Sequence, residues 1–280
     1  MMGALESWLF DLLREFSLAY GPPGYEDKVV ELVLKNLGSA VEKHWRDGMG
    51  NLFVKVKSGG GPRVMLVAHM DEVSMIVKHV DEDGFLYIAP LGWLDARVLL
   101  GQRVVVHGKT LIEGCIGAKP PHITTQEEQK VVPTFKDLYV DVGASSAEEV
   151  ARLGVGVGTP VAFAPSFSDW GEYVVGKALD DRVGCYALLE TLRGCGGPER
   201  GTVVVAFTVQ EEVGLRGASA LAHELKPDYA IAVEGTIAND TPGTPPDRVV
   251  TRVGRGPAIR VMDRTIVASQ KLLKHVKGLA

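Results

Sequence analysis

A chain of 280 residues, 46% hydrophobic and 23% charged, carries enough apolar side chain to bury a large core, as one big domain or two modest ones. The formal net charge of -5, with no long basic run and no basic stripe interleaved with aromatics, excludes the footprint of a nucleic-acid binder and leaves small-molecule or peptide chemistry. Cys115, Cys185 and Cys195 show no CxxC spacing, which argues against a disulfide framework and fits a reducing, cytoplasmic compartment.

The opening "MMGALESWLFDLLREF" mixes Glu, Asp and Arg into its apolar positions, unlike a signal peptide, and no apolar run approaches the ~18 residues of a membrane span, so no membrane partner is expected. Leu5, Trp8, Leu9, Leu12, Leu13 and Phe16 recur at helical spacing until "YGPPGYE" stops them. Val29, Val30, Val33, Leu34 and Leu37 then give a second amphipathic helix. "GNLFVKVK" alternates as a strand, "SGGGP" is a turn, and "RVMLVA" reads as a fully buried strand. "GTVVVAFTV" and "YAIAV" are two more buried strands, each after a helix-compatible segment, 183–193 and 218–224. Between "RVMLVA" and "GTVVVAFTV", from about Val73 to Ser168, lie short β-prone pieces ("MIVKHV", "FLYIA", "RVVVHG", "LYVDVG", "PVAFA") cut by glycine and proline. The pattern predicts an α/β fold with a mostly parallel mixed sheet flanked by helices, formed by residues 1–72 and 169–280, and a small β domain inserted at 73–168.

Polar clusters fall where these strands end: "HMDE" at His69, "LDDR" at Leu179, "QEE" at Gln210 and "VEG" at Val233. Singly each has an ordinary reading, such as Asp180 or Asp181 as an N-cap for the helix that follows. Jointly they do not, because an α/β sheet gathers the carboxyl ends of its strands into one crevice, where uncompensated carboxylates raise each other's pKa. One or two divalent cations satisfy that demand, and mixed imidazole and carboxylate donors favour zinc, cobalt or manganese over calcium. In an extended HxD the side chains two apart face one way, so Asp71 can orient the His69 imidazole. Of the adjacent Glu211 and Glu212, one can bind metal while the other takes a proton from the attacking water.

"AHMDEV", "KALDDRVG", "VQEEVGLRGA" and "AVEGTIANDTPG", in this order and with a β insert between the first two, closely resemble the tetrahedral, dodecameric metallo-aminopeptidases, a family often mislabelled as endoglucanases or cellulases. "GCIGAKPPH", "DLYVDVGASSAEE" and "GRGPAIRVMD" look like further family segments. The resemblance implies a co-catalytic two-metal peptidase acting on peptide substrates, with the insert used in subunit contacts of a homo-oligomer, a dodecamer or its dimers. Carried onto this sequence, it makes Asp180 the bridge between two ions, zinc or cobalt with manganese as a third option. His69 and Glu234 complete the first site, Glu212 belongs to the second, Glu211 is the general base and Asp71 orients His69. The family usually has aspartate where Glu234 stands. Its last ligand is a histidine well beyond "GPAIRVMD"; the sequence ends at Ala280, so the second site is expected to lack its imidazole and activity to suffer. After Asp263 the segment with Ile266, Leu273 and Val276 is spaced as a helix. His122 is read as structural, His44, His79, His107 and His223 as surface or packing residues, and His275 as a solvated helix residue. The competing readings are a metal-independent glycoside hydrolase using a carboxylate pair and an inactive peptide-binding scaffold subunit.

Overall fold

Helix α1 (Ala4–Leu18) turns Leu12 and Phe16 inward, and α2 (Asp27–Lys35) does the same with Val29, Val30 and Val33. In this computed structural model the described residues are 4–56, 59–194, 197–198 and 200–279. Cys195 and the side chains of Leu5, Trp8, Leu9 and His223 lie outside the described set. Leu37, expected in the second helix, falls beyond it. Asn36 ends the helix by donating its side-chain amide to the Leu32 carbonyl at 2.9 Å and its backbone N–H to Val33.

Five strands make the main sheet: β1 (Val41–Arg46), β2 (Leu52–Val56), β3 (Arg63–His69), and later β12 and β13. Between β3 and the last two come β4 (Ser74–Val80), β5 (Leu86–Leu91), β6 (Arg103–His107), β7 (Leu111–Gly117), β8 (Tyr139–Asp141), α3 (Ala147–Arg152) and β9 (Pro160–Phe163). Then follow the short hairpin β10 (Phe167–Asp169) and β11 (Val174–Gly176), helix α4 (Leu179–Gly194), β12 (Thr202–Thr208), α5 (Arg216–Leu225) and β13 (Tyr229–Ala232).

The sheet order is β1-β2-β12-β3-β13, with β3 parallel to both β12 and β13 and the other pairings antiparallel. Side chains alternate across a strand, and here both faces are covered. Leu52, Val54, Val205 and Phe207 pack against α1, α2 and α4, while Phe53, Val204 and Ala206 pack on the other side with Leu221 of α5. Two-sided burial explains why β12 reads as a continuous apolar run, and β2 is buried on both faces although its sequence alternates around Lys55. The fully buried reading of "YAIAV" does not hold, because β13 is the sheet's edge and leaves Tyr229, Ala230 and Ala232 exposed. "RVMLVA" is fully buried only at Met65 and Ala68, with Val64, Leu66 and Val67 half-buried.

Strands β4 to β9 close into a barrel in the order β4-β5-β8-β7-β6-β9, filled by Met75, Val77, Leu86, Ile88, Val104, Val106, Ile116, Val140 and Val161. Strand β7 and helix α3 were not expected. The first is interrupted by Gly114, which lets Val140 and the Asp141 carbonyl approach where a Cβ would stand. Contacts divide the chain into two units, Met1–Glu234 and Gly235–Ala280. The second holds mostly irregular chain, an isolated bridge between Met262 and Val267, and helix α6 (Gln270–Lys277). Ile266 is outside that helix: the Asp263 carboxylate accepts the N–H groups of Thr265 and Ile266, bending the chain where a helix was expected. No helix among the described residues is long and apolar enough to cross a membrane.

Asn51, wholly buried, ties the carboxyl end of β12 to α5 by accepting the Val209 N–H at 3.0 Å and donating to the Gly217 carbonyl at 3.0 Å. A Cβ on Gly217 would run into both Asn51 and the Val209 carbonyl. Gly217→Ala is therefore expected to cost about 1–3 kcal/mol in urea unfolding. Gly48→Ala, where a Cβ meets nothing within 4 Å, should leave the midpoint in place.

Candidate active site

Parallel strands in register deliver their next residues to one place. Thr208 lies opposite His69, and Ala232 opposite Val67, so the segments that continue β12 and β13 pass on either side of the His69 ring. The Val233 N–H continues the ladder onto the Val67 carbonyl at 2.8 Å, which sets Glu234 beside the histidine. Helix α4 begins across from them. Its first residues, Asp180 and Asp181, are non-helical, and the Asp181 carboxylate caps the helix by accepting the Gly184 N–H at 3.1 Å. Asp181 takes the capping role, and Asp180 faces the crevice.

His69 is 2% exposed, and its Nε2 lies 3.2 Å from Asp180 Oδ1, 3.4 Å from Glu234 Oε1 and 3.8 Å from Glu211 Oε2. Among the described residues two groups have metal-ligand spacing: His69, Asp180 and Glu234, and His69, Glu211 and Glu212. The six residues singled out in the sequence thus meet, although Glu212 is grouped through His69 rather than through Asp180. The ring's Nδ1 faces the Asp71 backbone carbonyl at 3.1 Å and its carboxylate at 3.4 Å. The Asp71 carboxylate has a further task, accepting the N–H of Glu211 at 2.9 Å and of Glu212 at 3.0 Å. The His69 backbone is itself held, donating to Asp181 at 3.2 Å and accepting from the Cys185 thiol at 3.0 Å.

Burial alone would lower the His69 pKa, but its hydrogen bonds with Asp180, Asp71 and Glu234 outweigh that and raise it. Burial pushes Glu212 up to about 7 and Glu211 in the same direction. Asp181, behind the ring, rises to about 8 through burial and then the charge of Glu234. Asp180 is lowered, first by its hydrogen bond with His69. Four carboxylates around one imidazole carry surplus negative charge, and a set of oxygen donors with one nitrogen fits a divalent cation of the zinc, cobalt or manganese kind.

Glu72, the last residue of "HMDE", does not join them. It is buried in an ion triad, with Lys177 Nζ at 2.7 Å and Arg182 at 3.6 Å, and it also accepts the Gly21 N–H at 3.1 Å. Arg182, fully buried, donates to the carbonyls of Phe16 and Ala19. Sequence reasoning missed this triad. The other histidines with described side chains stand apart: His107 packs on Tyr20 and His79 on Tyr87, while His44, His122 and His275 are exposed.

The family model described as M42 glutamyl aminopeptidase matches residues 50–280. The putative aminopeptidase FrvX of Escherichia coli (strain K12) is 36% identical over 273 residues, covering 96% of this chain and 76% of that protein. The crystal structure of a TET aminopeptidase from a marine sediment archaeon of the Thaumarchaeota matches with a TM-score of 0.94 and 36% identity, over 99% of this chain and 79% of that one. The TET1 peptidase of Pyrococcus horikoshii, which can assemble into a tetrahedron or a large octahedral shell, matches with a TM-score of 0.85 and 33% identity, over 97% of this chain and 81% of that one. The chain belongs to the M42 glutamyl aminopeptidase family. It is a peptide hydrolase of the aminopeptidase class, and the family implies use of a divalent metal. The glycoside hydrolase reading falls with that assignment.

The electrostatics generate a pH dependence for the metal-free protein. Glu26, Glu212 and Asp181 have folded pKa values of about 7, about 7 and about 8, above their ordinary 4.5, 4.5 and 3.8. A raised carboxyl stabilises the fold fully below its unfolded pKa and loses that contribution as pH rises through the folded value. His69, also raised, acts in the same sense above its ordinary 6.5. The Tm of metal-free protein should therefore fall between about pH 4.5 and 8, and added cobalt or zinc should raise it most at the upper end. A metal-free Tm that climbs across this range in calorimetry would contradict the assignment.

Proposed function

We propose that the chain removes N-terminal residues from peptides, with His69, Asp180, Glu234 and Glu212 as the side chains that would hold two divalent ions and Glu211 as general base. The observation that carries this reading is the buried His69 imidazole with Asp180, Glu234 and Glu211 oxygens all within 3.8 Å. Bound divalent ions supply Lewis acidity, polarising the scissile carbonyl and easing deprotonation of water. Glu211 takes the proton from that water and passes it to the leaving amine nitrogen, a role suited to a carboxyl that burial raises toward neutrality. Asp71 keeps Glu211 within reach of the ring and supports the His69 orientation from its Nδ1 side. The surplus carboxylates favour a substrate end that carries a free ammonium group, which makes the cleavage exo rather than endo.

Residues 73–168 are proposed as an insert used in subunit contacts, with 1–72 and 169–280 forming the catalytic part. The tetrahedral assembly of the horikoshii relative supports a homo-oligomer for this chain as well. Zinc or cobalt is the preferred metal, with manganese compatible with the same donors. A cytoplasmic setting follows from the reduced cysteines expected of the sequence.

Hydrolysis of aminoacyl chromogenic amides should disappear on chelation and return with cobalt or zinc. Glu211→Gln should lower kcat by about 10²–10⁴-fold while leaving metal content unchanged by plasma mass spectrometry. A Glu211→Gln enzyme with full turnover would remove Glu211 from the role of base.

A further inference from the structure

The segment "YGPPGYE" does no more in the sequence than stop the first helix, yet it ends in Glu26, which is only 4% exposed. Glu26 stands at the N-cap position of α2 but its carboxylate makes no capping bond to that helix. Its Oε1 instead accepts the Gly24 N–H at 2.9 Å and the N–H of Gln210 at 3.1 Å, 184 residues further along the chain. No Lys, Arg or His is recorded in an ion pair with it among the described residues. A buried carboxylate without a cation is costly and calls for a reason.

The reason lies in what Gln210 begins. Three consecutive backbone donors, those of Gln210, Glu211 and Glu212, end on two buried carboxylates: Glu26 takes the first and the two oxygens of Asp71 take the others. Gln210 has a φ of +56°, a left-handed conformation unfavourable for a residue with a side chain. Successive N–H groups that turn toward fixed acceptor oxygens form a nest, and those acceptors hold such a turn in place. On the carbonyl side, Gln210 and Glu211 accept the N–H groups of Arg216, Gly214 and Leu215, tying the turn to the start of α5. Held from both sides, the turn points the Glu211 carboxylate at His69.

We infer that Glu26 is a positioning residue of the active site, which with Asp71 suspends the Gln210–Glu211–Glu212 turn and so fixes the base and a metal ligand on His69. This rests on the proposed roles of Glu211 and Glu212. Glu26 touches neither the cation nor the substrate; it acts through the backbone of the turn. The acceptor oxygen, rather than the size of the side chain, is what matters.

The test compares Glu26→Leu, Glu26→Asp and Glu26→Gln in the full chain, each checked for folding by circular dichroism. Glu26→Leu removes the acceptor and Glu26→Asp withdraws it by one methylene. Both should lower kcat by about 10²-fold, as small misplacements of catalytic groups do, with a smaller change in KM. Glu26→Gln keeps an acceptor oxygen and should recover at least about tenfold of that loss. Independently of turnover, cobalt titrated into the metal-free proteins should show an altered visible spectrum and weaker affinity in the Leu and Asp variants, with Gln near wild type. If the Leu variant does not fold, the Asp variant decides. A folded Leu or Asp variant with wild-type kcat and cobalt spectrum overturns the inference, as does a loss that Gln fails to recover. If Glu211→Gln proves fully active while the Leu or Asp variant still changes the cobalt spectrum, the base assignment fails and the positioning role survives.

Discussion

The carboxyl end of the sheet is governed by crowding of like charge. Asp180, Glu234, Glu211 and Glu212 share one buried imidazole, and carboxylates gathered so closely cannot all stay ionised without a cation. In its absence protons do part of the work, and burial with mutual repulsion lifts Glu211 and Glu212, and Asp181 beside them, above their ordinary values. The arrangement is thus a receptor for positive charge before it is a catalyst. Its surroundings serve to keep the carboxylates from relaxing apart.

Two kinds of buried polar contact perform that service. Backbone N–H groups are the first: those of Gln210, Glu211, Glu212 and His69 each end on a buried carboxylate, so strand ends that would otherwise fray are anchored. The second is the triad of Glu72, Lys177 and Arg182, in which one buried carboxylate is shared by two cations. Breaking one member of such a buried set strands the others, so these interactions confer definition of geometry more than net stability. Carboxylates without a cation lie around His69 and at Glu26, while the triad a few residues away meets its one carboxylate with two cations.

What could be read from the sequence follows from locality. His69, Asp71, Asp180, Glu211, Glu212 and Glu234 each sit at the end of an apolar run or the start of a helix, so a pattern of buried strands already points them toward one crevice. Partners that depend on long-range closure left no such trace: Glu26 meets Gln210 across 184 residues and Glu72 meets Lys177 across 105, and neither spacing has a period. Helix α3 carried a readable signal, Ser146 with Glu149 as a capping box, but one and a half turns of helix are easily lost among β-prone segments. Strand β7 was hidden by its glycines, whose purpose is visible only when the neighbouring strand is in place. Periodicity also overreached at Ile266, where a local side-chain turn at Asp263 wins over helical spacing.

The Glu72 to Lys177 pair has a consequence for how the two sheets share one chain. The polypeptide leaves the catalytic crevice immediately after Glu72 and comes back to it at Lys177, and these two residues hold each other at the point of departure and return. The excursion between them, closed barrel included, is thereby cinched at its neck, and loop-closure entropy grows only slowly with the length of what is enclosed. The barrel still reaches back across that neck, where His107 packs on Tyr20 and Gly92 lies against Glu212. Length added to loops away from these two contacts costs little closure entropy, whereas a change at either contact is felt at the crevice.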